Sequence, residues 1–451
     1  MGSVKKVGIV HYRAGRTDGV SLEMEKRKTI LQSLGVEVRM ISGPVQRGSD
    51  FVIEELEFDA PEIREIKENA FGYFGNHHLS SARLMEKIHM VAQKIETAFR
   101  EYHRREQFDA LLVHNIFSHG RHIAAASAFA RFARNTGLPI VSTNHDYYWE
   151  REEYQEPTSK SVQEYLDLYV PPAYPNIVHV SINSIAREGL LRRRGIDSVV
   201  LPDVFDFHQP PWVRDAFNAD FPEMAGFSEQ DLVILQATRI VPRKGIELAM
   251  ELVAELNRHK SALEGKTLYN GKRITSDSRV VLVLAGYAED SAREYRQWLE
   301  EIARHLGIEA RFIAPRIGAK RSSNGDKRYS LWDAYVYADL VTYPSLYEGW
   351  GNQFIEAVFA RKPIVVFEYP VFKADIQPEG YHYISLGDRV IREQSGRVKL
   401  PTSALQAAAE QTMKTLLSPE TPRHLEENFA IGARYHDYAV MREFLQKHLC
   451  S

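Results

Sequence analysis

The sequence predicts an α/β protein built from two Rossmann-like domains. Three observations carry that prediction. At 451 residues the chain is longer than one hydrophobic core usually fills. Short apolar runs alternate with helical patterns along most of it. The alternation comes in two series, parted by a proline-bearing stretch. Short buried strands that alternate with helices form parallel sheets covered on both faces.

In the first series the strands are expected near 7–11, 36–41, 110–114, 140–143, 178–182 and 199–201, with helices at 20–34, 81–105 and 123–135 between them. The helix at 81–105 carries the stripe Leu84, Ile88, Val91, Ile95 and Phe99, which suits packing on a core. The stretch 206–226, with Pro210, Pro211 and Pro222 and no clean period, reads as the linker. In the second series strands are expected near 232–237, 280–285, 311–314, 340–343 and 364–368, with helices at 245–258, 291–306 and 352–361. Residues 424–451 read as a helix or a broken pair, with an apolar stripe from Phe429 to Leu445. The expected domains are therefore 1–205 and 227–423, with 424–451 as a separate C-terminal segment. The polar, basic run 318–328 reads as a solvated loop.

Charge is nearly balanced, 57 basic against 60 acidic residues, so nothing global points to nucleic acid. A single cysteine, Cys450, excludes an intrachain disulfide and a cysteine-rich metal site. No apolar run reaches bilayer length, and the first residues lead into a strand rather than a signal core. A cytoplasmic location without membrane association is expected.

The most informative stretch runs from Tyr343 to Ala357. An apolar strand enters a glycine-rich loop that opens a helix. Gly349 and Gly351 allow close approach of the backbone to a ligand, and Asn352 can cap the helix. The N–H groups at a helix start favour phosphate. Glu348 and Glu356, eight positions apart, can accept hydrogen bonds from sugar or ribose hydroxyls. Together these make a nucleotide-sugar pocket. Arg239 and Lys244 follow the first strand of the second series, at the strand end where α/β proteins bind ligands. A diphosphate leaving group gains charge in the transition state, and fixed cations there favour it over the ground state. Near the N-terminus, residues 15–21 form a glycine-bearing turn into a helix that lacks the dinucleotide fingerprint. His145 and Asp146 follow a strand of the first series, ahead of Tyr147, Tyr148 and Trp149. His114, His119 and His122 straddle a strand end and a helix start, which suits structural roles better than a metal.

These motifs resemble those of retaining glycosyltransferases with the GT-B fold, most closely glycosyltransferase family 4, and the resemblance covers nearly the whole chain. It implies two Rossmann-like domains with the active site in the interdomain cleft, and a C-terminal helix within 424–451 that crosses back onto the N-terminal domain. It implies catalytic roles for His145, Arg239, Lys244 and Glu348. Donor contacts are implied for Gly19, Arg239, Lys244, Pro315, Arg316, Glu348, Gly349, Trp350, Gly351, Asn352, Gln353 and Glu356. Acceptor contacts are implied for Arg16, Asp18, His145, Asp146, Tyr147 and Trp149. Trp350 stands where the family usually has Phe, and Asn352-Gln353 where apolar residues are common, so donor identity is open at this point. The chain has no Asp-x-Asp, and cationic side chains rather than a metal are expected to neutralise the diphosphate; no cofactor is expected. Residues 17–24, 203–207 and 351–353 resemble family members that move mannose from GDP-mannose to glucosylglycerate, with UDP-glucose the next donor considered. The partners expected are thus a nucleotide sugar and a small anionic acceptor. A lipid- or polysaccharide-directed transferase and a sugar phosphorylase of the same fold remain alternatives.

Overall fold

The structure is a computed structural model that describes residues 4–15, 19–44, 48–288, 292–323, 325–394 and 396–449. The chain divides into two compact units. Unit 1 takes residues up to Val204 together with those from Tyr438 onward, and unit 2 is Phe205–Asp437.

Unit 1 is built on a parallel sheet of β1 (Lys6–Val10), β2 (Glu37–Ser42), β3 (Phe51–Val52), β4 (Ala110–His114), β5 (Ile140–Asn144), β6 (Ile177–Ser181) and β7 (Val199–Val200), in the order β3-β2-β1-β4-β5-β6-β7. β4 and β5 are buried along their whole length, because helices cover both faces. Those helices are α1 (Gly19–Ser33), α2 (Pro61–Ala70), α3 (Ser81–Glu106), α4 (Ile123–Thr136), α5 (Lys160–Tyr169) and α6 (Ser184–Arg194). α3 starts where the Ser80 hydroxyl caps the Arg83 amide, and it buries the stripe from Leu84 to Phe99 in the core. β1 lies between β2 and β4, so the chain reverses its direction of travel across the sheet there. That reversal opens a crevice at the carboxyl ends of β1 and β4.

Unit 2 repeats the plan with β8 (Leu232–Gln236), β9 (Val280–Leu284) and β10 (Glu309–Phe312), then the short parallel pair β11 (Ile317–Gly318) and β12 (Tyr329–Ser330), then β13 (Leu340–Tyr343), β14 (Ile364–Val366) and β15 (Ile384–Ser385), and an antiparallel pair β16 (Ile391–Arg392) and β17 (Val398–Lys399). The main sheet is parallel, in the order β10-β9-β8-β13-β14-β15, with its reversal between β8 and β13. Its helices are α7 (Phe221–Ala225), α8 (Ile246–Arg258), α9 (Arg293–Leu306), α10 (Leu331–Tyr337), α11 (Asn352–Phe359), α12 (Thr402–Leu417) and α13 (Thr421–Tyr435).

Two segments differ from the sequence expectation, and a third takes the broken-pair form that it allowed. The stretch 206–226 packs as part of unit 2: it contains α7, and the Trp212 indole stacks on Trp332 at 4.2 Å. The run 318–328 is tied down by ion pairs, Lys327 to Asp220 at 2.6 Å and Arg321 to Asp215 at 2.6 Å, with a further guanidinium pair to buried Asp333. The segment 424–451 breaks at His436-Asp437. α13 stays in unit 2, and α14 (Tyr438–His448) lays Met441, Phe444 and Leu445 into the core that holds Met24, Ile30 and Leu31 of α1. No helix among the described residues is long and apolar enough to cross a membrane.

Candidate active site

In unit 2 the crevice lies at the carboxyl ends of β8 and β13. The loop after β8 carries Arg239 and ends in a single 3-10 turn, Pro242–Lys244, before α8. The loop after β13 carries Ser345 to Gly351. Backbone joins the two loops, with Leu346 N–H donating to Arg243 O at 2.9 Å. Gly245 sits between them in the left-handed region at φ 57°, and a Cβ there would lie 2.5 Å from Pro344 O. Only glycine lets the loops meet this closely.

That approach brings opposite charges together. Lys244, buried at 4 % exposure, has its Nζ on Glu348 Oε1, and Arg243 Nη1 donates to Glu348 Oε2 at 2.7 Å and to Tyr347 O at 3.0 Å. Burial pulls the Lys244 ammonium below its usual range, and Arg243 and Arg239 add to the effect while Glu348 opposes it. Burial would raise the Glu348 carboxyl, but Lys244 and Arg243 outweigh it and hold Glu348 below the usual carboxylate range. The result is two cations on one buried carboxylate at a topological switch point, with Arg239 near enough to Lys244 to act on its charge. Such a set can receive a dianionic group through the cations and hydroxyls through the carboxylate.

α11 starts at Asn352, so the capping position is Gly351 and not Asn352; no side chain caps it. A Cβ on Gly351 would meet Ile376 Cδ1 at 2.8 Å, which keeps the position small. Asn352 and Gln353 are partly exposed in the first turn. Glu356, one turn on, accepts the Tyr335 hydroxyl at 3.0 Å. Trp350 turns away from the loop surface. Its indole is 5 % exposed and packs on His436 at 5.3 Å, and its carbonyl accepts the Tyr369 hydroxyl at 3.0 Å. Its side chain therefore shapes the loop from beneath and offers no ring face to a ligand. Pro315 and Arg316 form an exposed turn after β10, the edge strand, with Arg316 Nε on Lys327 O at 3.2 Å. Gly286, after β9, passes so close to Thr238 O that a Cβ would sit 1.8 Å from it.

In unit 1 the carboxyl ends of β1, β4 and β5 gather polar groups. His145 stands one residue beyond β5. Its backbone N–H donates to Asn115 Oδ1 at 2.9 Å, its Nδ1 lies 3.2 Å from the same oxygen, and its Nε2 is 3.7 Å from Asp203 Oδ1. α1 adds three charged residues: Lys26 pairs with Glu23 and donates to Val204 O at 2.6 Å, and Arg27, fully buried, donates to Thr143 Oγ1 at 2.9 Å. The Glu23 carboxyl is pushed up to about 7, first by burial and then by the like charge of Asp203, against Lys26 and Arg27. Sequence reasoning missed Asn115, Glu23, Lys26 and Arg27, and gave Asp203 no site role.

Other acceptor-side expectations need correction. Tyr147 is fully buried, its hydroxyl 2.9 Å from Ser181 Oγ and its ring stacked on Trp149 at 4.7 Å. The two rings pack on one another and on the α6 core, so Tyr147 offers no face to a sugar and Trp149 only its partly exposed outer face. Asp146 is paired with Arg151, and Arg13 with Asp59 at 2.5 Å, which neutralises two arginines that flank these loops. Arg16 and Asp18 lie outside the described residues. Gly19 opens α1, exposed, with nothing within 4 Å of where a Cβ would be.

Two of the three histidines cap backbone, while both ring nitrogens of buried His114 lack a hydrogen-bond partner among the described residues. His122 Nδ1 accepts the Ala125 amide at 3.3 Å and its Nε2 lies 2.7 Å from Glu55 O, while His119 Nδ1 accepts the Arg121 amide at 3.1 Å. Among the described residues, metal-ligand atoms cluster at His382, His424 and Glu427. His382 precedes β15, so this cluster sits by the amino ends of the parallel strands, away from the loops described above.

The description "Glycosyl transferases group 1" belongs to the family that matches residues 218–429. A mannosylglucosylglycerate synthase of Petrotoga mobilis is 38 % identical over 423 residues, spanning 92 % of this chain and 94 % of that protein. Another, of Thermotoga maritima, is 36 % identical over 98 % of this chain and 99 % of its own length. Among solved structures, a glycosyltransferase from Rickettsia africae aligns with TM-score 0.62 at 14 % identity over 99 % of both chains. A sucrose-phosphate synthase from Thermosynechococcus elongatus gives 0.60 at 13 % over 98 % of both. The two parallel sheets are those of the GT-B fold. The chain belongs to the group 1 family of glycosyl transferases, the GT-B enzymes also called glycosyltransferase family 4.

Proposed function

We propose that the protein transfers mannose from GDP-mannose to glucosylglycerate with retention of configuration. The observation that carries this reading is identity of 38 % and 36 %, over nearly full length, to two mannosylglucosylglycerate synthases. The cation cluster around Glu348 supplies the chemistry the reaction needs. The bond between the sugar anomeric carbon and the diphosphate breaks, and charge grows on the leaving oxygens. Arg239 and Lys244 stabilise that charge, and it is larger in the transition state than in bound donor. Lys244 thus changes partner, from Glu348 to the diphosphate, and Glu348 is released toward the hexose hydroxyls. Glu356, held by Tyr335, accepts from the ribose. The acceptor hydroxyl attacks from the face the diphosphate leaves, and its proton passes to the departing phosphate oxygen, so configuration is kept. His145 hydrogen-bonds the transferring sugar through its ring.

A thermal-shift panel of GDP, UDP and ADP sugars tests the donor, since a ligand that binds only the folded state raises its stability. GDP-mannose should give the largest shift, with UDP-glucose next. A larger shift with UDP-glucose would move the reading to a glucosyltransferase.

A further inference from the structure

We propose that Asn115 is a positioning residue that fixes His145 in the Nδ1-protonated tautomer, which leaves Nε2 as the working atom of the ring. The proposal rests on the role given to His145 above. Asn115 directly follows β4 at the switch point of unit 1. It adopts a left-handed backbone at φ 56°, a conformation that asparagine tolerates better than most residues. Its N–H donates to Thr143 O at 2.9 Å, which pins it beside the end of β5 and turns its buried side chain toward His145.

The tautomer follows from donor and acceptor chemistry. The Asn115 amide atom that meets the backbone N–H of His145 must be oxygen, because a main-chain N–H can only donate. The same oxygen lies 3.2 Å from His145 Nδ1. An oxygen acceptor there requires the proton on Nδ1. The neighbouring His11 obeys the same logic, with its Nδ1 2.8 Å from His114 O, a carbonyl that only accepts. His145 Nε2 faces Asp203 Oδ1 at 3.7 Å. Among the ionisable groups near this ring are Asp146 beside it and His114 on β4, whose ring lies 6.0 Å away. Behind Asp203 come Glu23, Lys26 and Arg27 of α1. With Nδ1 committed to Asn115, the proton on Nε2 is the only one that can come or go. Neutral Nε2 accepts from a hydroxyl, and protonated Nε2 donates to one or pairs with Asp203.

The test uses the full chain labelled with nitrogen-15 at histidine, with the His145 signals assigned by their loss in His145→Ala. Above its titration, wild-type His145 should show a protonated Nδ1 and an unprotonated Nε2. Asn115→Gly keeps the left-handed backbone and removes the acceptor. It should give mixed tautomers and lower kcat about 10–100-fold, with donor KM within about threefold, the scale seen when a partner that orients a functional histidine is lost. Asn115→Asp keeps an acceptor oxygen, tolerates the same backbone, and should retain the Nδ1–H form and recover turnover relative to Asn115→Gly. A protonated Nε2 with bare Nδ1 in the wild type overturns the proposal whatever the variants do. So does Asn115→Gly with wild-type kcat. Full turnover by His145→Ala is a different failure: it removes His145 from the reaction and leaves the tautomer as measured.

Discussion

The crevices of the two units stand at equivalent points of two similar sheets, yet they are built differently. In unit 2 the functional groups come from two short loops, 239–245 and 344–351, and the start of α11. Backbone contacts join those loops, and glycines at 245, 286 and 351 fit where a Cβ would collide. In unit 1 the corresponding groups come from the ends of β4 and β5, the segment after β7, and α1, so His145, Asn115, Asp203, Glu23 and Arg27 meet only through the fold. A local motif makes a charged seat that is rigid and easy to read. A distributed one makes a buried polar network whose protonation states depend on each other.

The largest expected effect tests the local motif. Lys244→Ala should lower kcat by about 10²–10³-fold, the usual loss when one group that stabilises developing charge is removed. Initial rates at saturating donor decide it, and a loss under threefold would take Lys244 out of the transition state.

Next is a difference in acid stability between the units. His103, His114, His119, His122, His179 and His448 are all held below the usual histidine range, first of all by burial, and all belong to unit 1. For His119, His122 and His179 the folded value is about 4 against 6.5 unperturbed. A depressed histidine binds fewer protons folded than unfolded, so its contribution is intact above about pH 6.5 and is lost as pH falls toward 4. Glu23, raised to about 7, has the opposite sign and recovers only part of this loss. For His119, His122 and His179 the shift corresponds to about 3 kcal/mol each. Hydrogen exchange at pH 7.5 and pH 5 should show unit 1 amides losing protection well before unit 2 amides; equal losses in both units would break the comparison.

Gly245→Ala comes third. It forces a side chain into a left-handed residue and against Pro344 O, and should cost about 2–4 kcal/mol in denaturant unfolding. Gly19→Ala, with open space above it, should cost far less. Parity between the two variants would mean that the loops of unit 2 can part easily.

Glu356→Ala should weaken GDP binding by about 1–3 kcal/mol in calorimetry, the range for hydrogen bonds to a charged acceptor. Unchanged affinity would remove Glu356 from the ribose role. The smallest expected effect is that of a chelator: with Arg239 and Lys244 at the diphosphate, activity should survive excess EDTA.

The same contrast explains how much could be read in the sequence. The alternation of strands and helices gave both sheets, because strands buried on both faces are apolar throughout, as β4 and β5 are. Glu348, Lys244 and Glu356 were legible because a few residues of chain carry the geometry. Arg243 received no role, although it reaches Glu348 as Lys244 does, since its direction depends on the turn at Pro242. Tyr147 and Trp350 were given ligand contacts by the resemblance, but the turns that hold them point both rings inward. Asn115 gave only a weak signal, an asparagine just past a buried strand. The cluster of Glu23, Arg27 and Asp203 gave none, because Glu23 and Arg27 on α1 meet Thr143 and Asp203 only through the fold. A broken pair within 424–451 was one of two readings, but the place of the break at His436 was not legible, because apolar spacing continues on both sides of it while the chain passes from unit 2 to unit 1.

The most direct test of the account is the product itself. Purified protein, GDP-mannose carrying carbon-13 at the anomeric position, glucosylglycerate and EDTA are followed by NMR. The account predicts release of GDP and one new α-mannosyl signal on glucosylglycerate. A β-mannosyl signal, or transfer only to lipid acceptors, would contradict it.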